Sequence, residues 1–109
     1  VRKEMYDTAM ADTYGGKTPQ ETLQMYIEAV EKGDYELASK YFVEEKREEE
    51  LSRFTKSLQQ NIENMIATLK RTSFSSGSFS ENKDIYIVHD PVFVKFTLYP
   101  NGIWKLTDI

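Results

Sequence analysis

The chain has 109 residues, enough for one domain with a single core and too few for a second. Its 14 basic and 18 acidic side chains leave a net charge of -4, which argues against the basic face that duplex binding needs, so no nucleic acid is expected as a partner. Without cysteine there is no disulfide framework, thiolate metal site or cysteine nucleophile, and no apolar run approaches the roughly 18 to 20 residues of a membrane span.

Residues 1–17 are mostly polar and end in Gly15-Gly16, a composition that reads as a flexible lead-in or tether carrying at most a short helix. Within it, ADTYGGKT at Ala11–Thr18 has the spacing of a phosphate-binding loop. Such a loop needs a buried strand before it and a helix opening at the Gly-Lys-Thr itself. The residues before Ala11 are too polar for a central strand, and Pro19 removes a donor from the first turn. Thr18 therefore reads as an N-cap, with Pro19 at the first helical position and Glu21 completing a capping box.

A helix follows over Pro19–Lys32, with Leu23, Tyr26, Ile27 and Val30 in one arc and Gly33 as its left-handed stop. Asp34 caps a second, shorter helix with Tyr35, Leu37, Ala38, Tyr41 and Phe42 around it. A third, long helix is expected from about Glu45 to Lys70, because Leu51, Phe54, Leu58, Ile62, Met65, Ile66 and Leu69 keep to one stripe at period 3.6. Its opening run, EEKREEE, puts Glu45, Glu48 and Glu49 on one face, and it reads as solvated, with a Glu49–Arg53 pair, rather than as a cation site.

After Arg71 the chain turns to strand patterns. TSFSSGSFS is a weak edge strand in which Phe74 and Phe79 fall on opposite faces unless Gly77 marks a bulge. Better strands run over Lys83–His89, Val92–Tyr99 and Ile103–Ile109. A three-residue Pro100-Asn101-Gly102 turn opposes Leu98 to Trp104, Phe96 to Leu106 and Thr97 to Lys105, which collects the apolar residues on one face. The expected fold is α+β: N-terminal helices, two short and one long, on a curved antiparallel meander of three to four strands.

Two segments carry a family likeness. TPQETLQMYIEAVEKGDYELASKYF, Thr18–Phe42, resembles the opening helical hairpin of the nuclear-transport-factor-like, or cystatin-like cone, superfamily, and NGIWKLTDI, Asn101–Ile109, resembles its closing strand. The resemblance implies a cone over residues 18–109 and a place among small bacterial domains of unassigned function, tethered outside the cytoplasmic membrane by a segment upstream of the given chain. It also implies pairing of two copies through the outer sheet face, where Phe93, Tyr99, Ile103 and Ile109 lie among Lys95, Thr97, Lys105 and Thr107.

The first functional expectation is a non-catalytic binding or interaction domain for a small ligand or a protein, without cofactor or metal. Its candidate ligand-binding residues are Tyr41, Tyr86, His89 and Trp104, side chains with polar tips at the rim of any cavity. The alternative is a small-molecule enzyme of isomerase or dehydratase type, using His89, Asp90 or a buried Tyr as acid or base. A lone His beside a Pro reads more simply as a turn residue, and no catalytic residue is assigned.

Overall fold

The computed structural model describes residues 3–109. Five helices precede a four-stranded sheet: α1 (Lys3–Ala11), α2 (Pro19–Glu31), α3 (Tyr35–Lys40), α4 (Arg47–Lys56), α5 (Gln59–Leu69), then β1 (Ser78–Phe79), β2 (Ile85–Val88), β3 (Val94–Leu98) and β4 (Trp104–Asp108). The strands form an antiparallel meander in the order β1-β2-β3-β4. This is the α+β class expected, with helices and strands segregated along the chain.

Local chemistry sets the start of the fold as the residues dictate. Thr18 Oγ1 accepts the Glu21 N–H at 3.1 Å, and Pro19 occupies the first turn of α2. The Glu21 carboxylate reaches back to the Lys17 N–H, 3.0 Å away. At the other end Gly33, at φ 77°, closes α2 with two bonds, Asp34 N–H to Ala29 O and Gly33 N–H to Val30 O. Asp34 then caps α3 through its Oδ1 and the Leu37 N–H.

The expected register of the last hairpin is also found: Leu98 faces Trp104, Phe96 faces Leu106 and Thr97 faces Lys105. Gly102, at φ 83°, supplies the left-handed residue of the three-residue turn. Past Leu106 the register shifts by one, so Thr107 is the extra residue of a bulge, and its hydroxyl lies 2.6 Å from that of Thr97. Tyr86, Val88, Val94, Phe96, Trp104 and Leu106 thus share one face, and they are buried with Leu23, Tyr26 and Ile27 of α2 and Ile62, Ile66 and Leu69 of α5.

One expectation about the helices is corrected. The long third helix is two, α4 and α5, separated at Ser57 and Leu58, whose ψ values of 146° are extended. A continuous helix over Glu45–Lys70 would run about 39 Å, against about 17 Å for the longest strands, so its second half would overshoot the sheet. The break instead lets α5 lie against α2 and bury Ile62, Ile66 and Leu69, while Leu58 is left 71% exposed at the corner.

The lead-in carries the short helix allowed for it. Its first two residues lie outside the described ones; Lys3–Ala11 is helical with no buried residue, and the chain from Asp12 to Gly16 is bound to β4. Gly16 O accepts the Trp104 N–H at 2.9 Å, and the Gly16 N–H donates to Thr22 Oγ1, which in turn donates to Trp104 O at 2.8 Å. A Cβ on Gly15, at φ 146°, would stand 2.4 Å from Trp104 O. Gly15 is therefore needed for contact with a strand backbone, whereas a Cβ on Gly16 would stand 2.3 Å from Glu21 Cβ on α2.

The free edge of β4 is closed by the same segment and by Phe42, which bridges to Leu106 in parallel. Tyr41 O accepts the Leu106 N–H and Leu106 O accepts the Val43 N–H, so this edge offers no open ladder to another chain.

Candidate functional site

Four aromatic rings meet where the sheet face reaches the start of α2. Pairing of β1 with β2 sets Phe79 opposite Tyr86, with ring centroids 4.6 Å apart, and Phe79 also lies 5.9 Å from the Trp104 ring. Phe74, on the single helical turn Phe74–Ser76, stacks on Tyr86 at 6.4 Å and 12°. Gly77 makes this possible, because a Cβ there would stand 2.4 Å from the Tyr86 hydroxyl. Phe74 and Phe79 therefore both reach the Tyr86 ring, Phe74 having left the strand.

Together with Lys17, Thr18, Pro19 and Gln20 these rings line a pocket of about 250 Å³. Tyr86 donates its hydroxyl hydrogen to Phe74 O, so the proton is committed to the backbone. Lys17 is the one charged residue in the lining. The arrangement suits contact with a flat apolar group.

Of the four residues expected from sequence, the structure brings Tyr86 and Trp104 into this pocket and leaves the other two elsewhere. Tyr41 is half-buried beyond the far edge of β4, edge-on to Tyr14, and burial raises its pKa. His89 is exposed just past β2, its ring 5.4 Å from that of Phe93. Phe74, Phe79 and Lys17 were not expected; the signal for the first two was their placement either side of Gly77.

The acidic run holds a second feature. Glu45, Glu48 and Glu49 are exposed as expected, but Arg53 pairs with Glu50 at 3.2 Å and not with Glu49. Glu50 is buried, and its other oxygen accepts the hydroxyl hydrogen of fully buried Tyr26 at 3.1 Å. Burial is the main cause that raises the Glu50 pKa, with Arg53 and Tyr26 opposing it. The same burial, reinforced by Glu50, pushes the Tyr26 hydroxyl well above the ordinary tyrosine range. A cleft of about 230 Å³ between α4 and α5 lies beside Glu50, and both carboxylate oxygens already have donors.

A third cluster involves Lys105, expected on the open outer face but fully buried. Its ammonium donates to Asp12 Oδ1 at 2.9 Å, Lys40 O at 2.6 Å and Tyr14 O at 2.5 Å, three acceptors for three donors. Arg47 holds the second oxygen of Asp12. Burial pushes Lys105 down to about 8, with Asp12 working against the shift. This triad ties the Asp12–Tyr14 segment to the back of β4.

Among the described residues no group of three or more His, Asp or Glu could hold a metal ion, and no helix is long and apolar enough to cross a membrane. Fold and site define a small α+β domain with an aromatic pocket at one end of its core. The chain belongs to the family described as Domain of unknown function (DUF4878), which matches residues 13–100. No curated protein and no solved structure matches it.

Proposed function

We propose that this DUF4878 domain is a non-catalytic binding domain of the nuclear-transport-factor-like, cystatin-like cone type, and that it takes a small ligand in the pocket of Phe74, Phe79, Tyr86 and Trp104. The observation that carries the reading is four converging rings around about 250 Å³ of open space. A pocket of that size, below the roughly 300 to 1,000 Å³ of drug-sized sites, suits a compound of one or two rings. The cone assignment is supported by the helical hairpin of α2 and α3, the antiparallel sheet behind it and the two segments that resemble the superfamily.

The same resemblance supports a place outside the cytoplasmic membrane on an upstream anchor, which fractionation of the full-length product tests directly. A second copy pairing through the sheet would use Ile85, Ile87, Lys95 and Thr97, since Lys105 and Ile103 are already covered. Light scattering at high concentration that gives only the monomer mass removes that part.

Binding itself is tested with benzyl alcohol, followed by NMR at the indole N–H of Trp104, the single tryptophan. A saturable shift that Phe79→Ala abolishes is expected. No shift up to about 10 mM, the range of fragment-strength affinities, overturns the reading.

A further inference from the structure

The lining of the aromatic pocket is charged at one place. Lys17 is part of that lining, is exposed, and among the described residues makes no ion pair. Its amine lies near the turn at Gly102, 3.9 Å from where a Cβ would sit on that residue. The nearest acidic residue in sequence, Glu21, has its carboxylate bound to the Lys17 backbone N–H and does not line the pocket.

A second source of positive potential adjoins it. Thr18, Pro19 and Gln20, the first residues of the 13-residue helix α2, form one wall, and the N-terminal end of a helix carries a partial positive charge. Apolar rings on one side and an unpaired ammonium with a helix start on the other fit a ligand built in the same two parts.

We infer that the pocket binds an aromatic monocarboxylate, with its flat ring among Phe74, Phe79, Tyr86 and Trp104 and its carboxylate toward Lys17 and the start of α2. This deepens the binding reading and rests on it. The ring supplies most of the contact, and the carboxylate supplies selectivity, because a charge-assisted bond to the exposed Lys17 has no counterpart for a neutral isostere. A neutral amide of the same shape keeps the ring contacts and loses that bond. A saturated ring with the same carboxylate keeps the charge and loses the fit between flat faces.

The test uses 3-phenylpropionate, 3-phenylpropanamide and 3-cyclohexylpropionate, titrated against the intact domain and read by Trp104 fluorescence. The acid is expected to bind at least about tenfold more tightly than the amide, a gap that narrows as salt is raised. Lys17→Gln should close the gap by weakening the acid to about the level of the amide. Phe79→Ala, at a side chain already 52% exposed, should weaken all three without threatening the fold. An amide that binds as tightly as the acid, a gap that survives Lys17→Gln, or a cyclohexyl acid as tight as the phenyl acid each overturns the assignment while leaving an aromatic-binding pocket in place. Absence of any saturable change with all three ligands and with benzyl alcohol removes both.

Discussion

Lys105 Nζ lies 2.9 Å from Asp12 Oδ1 across 93 residues of sequence, and neither group has appreciable contact with water. Removing the carboxylate with Asp12→Asn leaves a buried ammonium without its counter-charge, for which a loss of about 3 to 5 kcal/mol is expected in urea unfolding at pH 7. Adding Lys105→Met to Asp12→Asn should recover part of that loss, since it removes the buried charge.

The pair also predicts a pH dependence. The folded pKa of Lys105, about 8, lies below its ordinary value of 10.5, so between these values the unfolded chain binds more protons and stability rises with pH. The raised tyrosines Tyr26, Tyr41 and Tyr99 act in the opposite sense once unfolded tyrosine ionises near pH 10. Comparing wild type with Lys105→Met from about pH 8 to about 9.5 isolates the lysine: wild type should gain on the variant throughout. A constant difference would mean that Asp12 fully offsets the burial.

Three glycines with positive φ or close neighbours separate backbone conformation from crowding. Gly33→Ala meets nothing within 4 Å and bears only the left-handed conformation, an expected cost of about 1 to 2 kcal/mol. Gly15→Ala adds overlap with the Trp104 carbonyl, and Gly77→Ala overlaps the Tyr86 ring and hydroxyl. Thermal unfolding should rank both well below Gly33→Ala, and Gly77→Ala should in addition disturb the aromatic pocket.

What was legible in the sequence is what short-range chemistry determines. The Thr18 cap, the Gly33 stop, the Asp34 cap and the Pro100–Gly102 turn each depend on side chains within a few residues of the backbone groups they satisfy. Tyr86 and Trp104 could be expected on one face because strand alternation puts them there. Asp12 could not be matched to Lys105, since nothing local distinguishes it from Asp7. Glu50 is one of five glutamates in Glu44–Glu50, and only the position of Tyr26 on α2 selects it for burial. The break between α4 and α5 has neither Gly nor Pro to announce it.

That break predicts a contrast between two residues of the same apolar stripe. Leu58→Ala should change stability by less than about 0.5 kcal/mol, because the side chain is exposed at the corner. Ile62→Ala, one turn further and 6% exposed, should cost about 2 to 5 kcal/mol through the cavity it leaves. Equal losses at the two positions in denaturant unfolding would indicate an unbroken helix instead.

Glu50 supplies the opposite pH signature to Lys105. Its folded pKa is raised by burial above the ordinary 4.5, so the folded domain binds the proton more readily than the unfolded chain. The corresponding stability is fully present below about pH 4.5 and is lost as pH rises through the folded value. Glu50→Gln keeps an oxygen to accept the Tyr26 hydroxyl hydrogen and cannot ionise, and Arg53, about half exposed, can turn to water. Urea unfolding at pH 4 and at pH 7 should therefore show the variant gaining on wild type at the higher pH, a difference in which the other carboxylates cancel. Tyr26→Phe, which removes the donor to one carboxylate oxygen, should cost about 1 to 3 kcal/mol at pH 7 and less at pH 4. Should Glu50→Gln lose ground as pH rises, the bonds from Arg53 and Tyr26 would outweigh burial, and the carboxylate would be a stabilising charge.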